Sequence, residues 1–261
     1  MDSFIGLIAA IGFLIVGWQW KSYIFPSRPF HSERLILASF SLLALGCAAI
    51  LVLVLRRWSA LGVRSDFREV AFYLIVSLGW VALTQGGFAF LGVSLRDDVG
   101  ERANPAAAFA TAGLSVGATF CVAGSNIGNG PGFEVVLFCM ALSTCALLLL
   151  WVAFHKLTGA ADAITIERDT GAGIRTGGWL AANGLILGVS VAGDWTSVSS
   201  TLYDFVRFGW PTLVLLALLW LLEVTANQRP LSNRLSPTLS GAVAVLLIAA
   251  GAAYAKWVGL R

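Results

Sequence analysis

The chain has 261 residues, of which 58% are hydrophobic and only 12% charged, and its mean hydropathy is +0.83. No soluble fold of this length hides that much apolar surface, and a disordered chain would carry far more charge. The net charge of +3 is spread along the loops without a basic run, which excludes nucleic acid as a partner and leaves an all-α, polytopic helical membrane protein in contact with the lipid bilayer.

A helix needs about 20 apolar residues to cross the hydrocarbon core. Stretches at 3–25, 35–55, 70–93, 105–124, 134–155, 172–192, 210–226 and 238–258 qualify, which predicts about eight transmembrane helices. They divide into two N-terminal spans (1–69), a repeat module (70–226) and a C-terminal span (227–261). The first stretch lacks the basic start and the small-residue cleavage site of a signal peptide, and Lys21, Arg28 and Arg34 follow it. Charge after the span places the N-terminus outside and the first loop inside. The loops after spans one, three, five and seven hold ten Lys and Arg against seven on the other side. The dissenting loop carries Arg56, Arg57, Arg64 and Arg68. An alternative makes span three a re-entrant hairpin broken at Gln85-Gly86-Gly87. The aromatic segment 193–209, with Trp195, Tyr203, Phe205 and Phe208, suits a short amphipathic helix in the interface.

Span four opens on Glu101-Arg102-Ala103-Asn104-Pro105-Ala106-Ala107-Ala108, and span six on Glu167-Arg168-Asp169-Thr170-Gly171-Ala172-Gly173-Ile174. Two spans separate the openings, so both face the same side, and the pattern predicts a parallel internal repeat with copies at about 96–155 and 162–226. Asn104 is an N-cap with Pro105 at the first helical position, and Thr170 is the corresponding cap in the second copy. Glu101 and Glu167 lie before the helix starts, where acids complement the helix dipole. Gly113 and Gly117, Gly173 and Gly177, and Gly184 and Gly188 recur at spacing four, which lets helices approach closely in lipid. Spans four and six are expected to pack on each other or on another subunit.

The Asn104 cap, Ala106 to Ala108, then Gly113 and Gly117, repeated more loosely at Ala172, Gly173 and Gly184, resemble the bacterial inner-membrane family catalogued as domain of unknown function 350 (YjfL-type), over roughly residues 70–225. Thr170, Gly171 and Gly173 depart from that pattern. The resemblance implies a bacterial inner-membrane protein for which no activity is agreed, which would put the outside N-terminus in the periplasm.

Few residues offer chemistry. Cys47, Cys121, Cys139 and Cys145 form no CxxC pair and read as small buried hydrophobes. His31 and His155 are too few for a metal centre, and no cofactor is expected. His155 with Asp162 and Asp169 makes no recognisable triad. The intramembrane polar residues are Gln85, Arg175, Asn183 and Glu223. Arg175 and Glu223 fall near the same membrane face, as a pathway element or as a snorkelling ion pair. Asn183 lines a polar cavity or hydrogen-bonds between helices. Asn126, Asn129, Glu134, Asp194 and Asp204 gather on the outer side, as a cation-attracting ring or as ordinary loop polarity. Two functions follow: a non-enzymatic structural or accessory subunit of a membrane assembly or homo-oligomer, or a small channel or transporter with a polar pathway lined by the repeat helices.

Overall fold

A computed structural model describes residues 31–227 and 234–259; the predicted span 3–25 lies outside them. The described chain is helical. α1 (His31–Arg57), the short α2 (Leu61–Ser65) and α3 (Phe67–Phe90) lead through a π-helical turn (Leu95–Glu101) into α4 (Pro105–Ser125). α5 (Phe133–Thr158) and the short α6 (Ala160–Thr165) lead into α7 (Thr170–Val191). α8 (Val198–Gly209), α9 (Pro211–Asn227) and α10 (Pro237–Val258) complete it. Among the described residues, six helical stretches are long and apolar enough to cross a membrane: α1 from Ala38, α3, α4, α5, α8 continued into α9 up to Thr225, and α10.

α7 is long enough but too polar to join that set, although sequence reasoning counted it as a span. Its composition follows from its position. It is the most enclosed helix, buried from Gly171 to Val191 with few breaks, so its side chains meet protein rather than lipid. A methyl group on Gly173 would strike the backbone of Ala106, one on Gly177 that of Phe109, and one on Gly188 that of Phe120. From the other side, Gly113 meets Gly177, Gly117 meets Gly184, and Gly124 meets Gly188. The residue numbers rise together, so α4 and α7 run in the same direction, backbone against backbone. With 3.6 residues per turn, Gly171 and Gly178 fall on the roughly opposite side of α7. There α10 closes in: Gly178 abuts Ala244, and Gly251 abuts Ala182. α4, α7 and α10 thus form a row, with α5 and α9 covering a flank of α7.

Capping explains where the helices begin. Asn104 Oδ1 accepts the N–H groups of Ala106 (3.0 Å) and Ala107 (3.4 Å), while its Nδ2 donates to the carbonyl of Ile164 (2.8 Å). The cap of α7 is Asp169, not Thr170 as expected: Asp169 Oδ1 accepts the N–H of Ala172 (3.0 Å), and Thr170 is already helical. Asp is the stronger cap, and placing it there lets the same carboxylate meet Arg234 (3.4 Å). Ala103 (φ 48°) and Arg168 (φ 57°), the residues just before the two caps, both adopt left-handed backbone.

Of three further expectations, the re-entrant break and the burial of all four cysteines change, while the helix in segment 193–209 is found. Gln85-Gly86-Gly87 lies within the unbroken α3, so span three has no re-entrant break. Segment 193–209 contains the amphipathic α8, with Val198, Leu202, Tyr203 and Val206 exposed on it. Cys47, Cys121 and Cys139 are buried, but Cys145 is exposed on α5, because it faces away from the α4–α7 core.

Gly113→Leu is expected to abolish the folded protein, since its side chain would have to displace the Gly177 backbone. Gly241→Leu on α10, where nothing lies within 4 Å, should change stability by less than about 0.5 kcal/mol. Thermal unfolding in mild detergent distinguishes the two, and a stable G113L protein would contradict the seam.

Candidate functional site: an acidic pocket and a buried ion pair

The loops that follow α1, α4 and α7 are tied to one another. Gly128 N–H donates to the Trp58 carbonyl (3.0 Å), Gly193 N–H to that of Ile127 (3.2 Å), and Trp195 N–H to that of Asn129 (2.8 Å). Asp194 Oδ1 accepts both the backbone N–H (2.7 Å) and the Nδ2 (2.9 Å) of Asn129. Gly128 (φ 102°) and Gly193 (φ 131°) take left-handed backbone at these crossings, which only glycine adopts without strain.

These loops frame a pocket of about 490 Å³. Its carboxylates are Asp66, Glu69, Asp194 and Asp204, and among the described residues no Lys, Arg or His lines it. Tyr73 and Trp195 contribute aromatic walls, while Ser125, Cys139 and Ser190 form a floor between α4, α5 and α7. Asn126 lies at that floor, 5% exposed. Its Nδ2 donates to the Val122 carbonyl (2.8 Å) and Ser77 Oγ (3.3 Å), while its Oδ1 has no partner. A buried, unpaired amide oxygen costs about 1–3 kcal/mol, unless something entering the pocket donates to it.

Of the outer-side residues expected to gather, Asn126, Asn129, Asp194 and Asp204 do meet here. Glu134 does not line the pocket; its carboxylate turns back on Gly132 at the start of α5. Asp66 and Glu69 were missed, because they belong to the arginine-rich loop and to the start of α3, far away in sequence. Asp66 also caps α3 by accepting the Arg68 N–H (2.8 Å).

The opposite end of the bundle is closed by arginines. Asp98 accepts the Ser94 N–H (2.8 Å) and pairs with Arg102 (3.1 Å). Arg168 donates to the carbonyl of Arg102, and Arg234 to Glu167. The hydrogen bond to Glu167, aided by both neighbouring carboxylates, raises the Arg234 pKa further above its usual value. Glu101, expected to support a helix start, instead forms an exposed pair with Arg96 (3.7 Å).

Inside this end, Arg175 reaches Glu223 through two bonds, Nε to Oε1 (2.6 Å) and Nη2 to Oε2 (2.8 Å), and Nη1 donates to Ser240 Oγ (2.7 Å). Arg175 is 0% exposed and Glu223 3%. The expected meeting of the two residues is therefore real, but neither snorkels. Asn183 Nδ2 donates to the Trp179 carbonyl of its own helix (2.8 Å) instead of bridging helices, and its Oδ1 is unpartnered. Gln85 Nε2 bridges α3 to α4 through the Thr111 carbonyl (2.8 Å) and Ser115 Oγ (2.6 Å).

Among the described residues, no group of His, Cys, Asp and Glu is placed to hold a metal ion. No protein-family model matches the chain, and neither do any curated protein or solved structure.

Removing one partner of a buried ion pair leaves an uncompensated charge and costs about 3–5 kcal/mol. Glu223→Met alone should lower the unfolding temperature sharply, and Arg175→Met/Glu223→Met should recover much of the loss. A single variant as stable as the parent chain would show that the pair does not form.

Proposed function

We propose that this chain is a non-enzymatic, eight-span inner-membrane protein built from parallel repeats, and that it passes cations as a small channel or transporter. The observation that carries the reading is the pocket: among the described residues, four carboxylates and no basic group line an opening that reaches between the spans to an unpaired amide oxygen. A cation entering it loses hydration but gains Coulombic attraction, aromatic faces and a free acceptor. An anion meets only like charge. By the distribution of Lys and Arg, the pocket faces the periplasm and the arginine-closed end the cytoplasm.

The glycine faces first raised the alternative of an assembly subunit. Gly113, Gly117, Gly173, Gly177, Gly184 and Gly188 are all occupied within the chain. They leave no free small-residue surface on α4 or α7 for a partner, which moves the weight to solute passage. The repeat is supported by the shared direction of α4 and α7 and by equivalent contacts at both ends. The resemblance to the family of domain of unknown function 350 rests on the same residues.

Uptake into proteoliposomes, measured with potassium, methylammonium and chloride at symmetric pH, tests the reading. Cation uptake should exceed that of protein-free vesicles, with chloride unchanged. Glu69→Gln and Asp204→Asn, which leave the loop hydrogen bonds intact, should each weaken apparent cation affinity about fivefold, from about 1 kcal/mol of lost attraction. Equal fluxes of cation and anion, or variants with unchanged affinity, would defeat it.

A further inference from the structure

The acidic pocket changes character with depth. At its mouth Asp66, Glu69 and Asp194 are exposed, and Asp204 is half-buried. At its floor Ser125, Asn126, Cys139 and Ser190 are buried. Gly124 lies against the Gly188 backbone, which brings Ser125 and Asn126 at the end of α4 beside Ser190 of α7. Charge at the mouth gathers cations of any kind. Which cation settles is decided by the hydrogen bonding at the floor.

The oxygens of the floor are left as acceptors. Both hydrogens of Asn126 Nδ2 are engaged, with the Val122 carbonyl (2.8 Å) and Ser77 Oγ (3.3 Å), so the amide offers the pocket its unpaired Oδ1. The Ser125 hydroxyl donates to the Cys121 carbonyl (2.9 Å) and the Ser190 hydroxyl to the Ile186 carbonyl (2.7 Å), which leaves each with lone pairs alone. Two further hydroxyls of the lining, on Ser59 and Thr201, are turned to the carbonyl four residues earlier in the same way. A ligand that satisfies the floor therefore brings its own hydrogen-bond donors. A metal ion brings none. Among the described residues no three of His, Cys, Asp and Glu are placed to hold one. The volume of about 490 Å³ lies within the range of about 300–1,000 Å³ common for sites that take organic molecules. The aromatic walls, Tyr73 and Trp195, suit a cation whose charge is spread over carbon-bound hydrogens.

We propose that the pocket selects a primary alkylammonium ion, whose three N–H donors answer the acceptors of Asn126, Ser125 and Ser190 and whose carbon chain lies along the aromatic walls. The number of donors matches the number of acceptors, and the single positive charge matches the sign of the mouth. A quaternary ammonium has the charge and the bulk but no N–H, and it would leave Asn126 Oδ1 unpaired. Potassium has the charge alone. As a statement about what is carried, this inference rests on the passage reading above. Binding is therefore measured without flux, so that each can fail alone.

The test is titration calorimetry on the full chain in lipid nanodiscs, in amine-free buffer at neutral pH, with the chlorides of propylammonium, tetramethylammonium and potassium. Propylammonium should bind at least tenfold more tightly than either of the others. Ser125→Ala and Ser190→Ala each remove one acceptor and should weaken propylammonium about fivefold, while tetramethylammonium changes less than about twofold. A purely structural role for these serines would move both ions together. Asn126→Ala should cost propylammonium at least tenfold, and because it also frees Ser77 and risks the loop, the serine variants carry the decision. A preference below tenfold, no detectable propylammonium binding, or serine variants that leave propylammonium unchanged or weaken both ions alike, overturns the proposal. Selective binding without uptake into proteoliposomes defeats the passage reading and leaves this one standing.

Discussion

The close approach of α4 and α7 is the constraint on which the rest depends. In lipid the hydrophobic effect does not drive helices together, so association depends on packing and on polar contacts at short range. Glycine on both sides brings the backbones into direct contact, Gly113 on Gly177 and Gly124 on Gly188. The seam removes one face of α7 from lipid, and α10 removes the opposite one through Gly178 and Gly251. Once α7 is enclosed, its composition no longer has to satisfy the bilayer. That is the physical reason a guanidinium, a primary amide and several hydroxyls occur on one spanning-length helix.

The seam also sets both ends of the bundle. Two helices that run in the same direction and in register bring their starts together at one membrane face and their ends together at the other. At the starts, the Asn104 cap reaches Ile164 and Arg168 reaches back to Arg102. At the ends, Asn129 and Asp194 join, 65 residues apart. Arg234 continues the series by reaching back to Glu167 and Asp169 from the start of α10. Each of these segments is thus tied to the one before it, and the pocket is what the loops enclose where they meet.

Much of this was legible in the residues. Composition gave a helical membrane protein, the glycine spacing identified the contact faces of α4 and α7, and charge position paired Arg175 with Glu223. The errors have local causes. Aligning the Glu-Arg dipeptides at 101 and 167, 66 residues apart, puts Thr170 opposite Asn104; the caps Asn104 and Asp169 are 65 apart, since the chain is one residue shorter between dipeptide and helix. Arg102, Arg168 and Arg234, spaced by 66 residues, were a signal that the series extends to α10, and it was available without coordinates. Asp66 and Glu69 could not be placed in the pocket, because nothing local reveals that the loop after α1 folds beside those after α4 and α7. Asn126 was visible as a polar residue of the outer side, but its unpaired oxygen is a tertiary property, and polar side chains on a helix ordinarily bond their own backbone.

The parallel arrangement has an electrostatic consequence that fits the pocket's charge. Each helix carries a partial negative charge at its C-terminal end, and aligned neighbours add rather than cancel. α4 ends at Ser125 and α7 at Val191, and both residues line the pocket. The partial charges of these two ends therefore reinforce the four carboxylates. α3 starts at the same face, and there Asp66 as cap and Glu69 in the first turn offset its positive end. At the other face the starts of α4 and α7 would repel one another, and Asp98, Glu167 and Asp169 lie there with their arginines. Arg175, one turn into α7, sits where the helix dipole opposes a cation, so it depends on both oxygens of Glu223. With Ser240 Oγ on the remaining nitrogen, that carboxylate gives the guanidinium a full set of partners in a place where water and lipid headgroups cannot reach it.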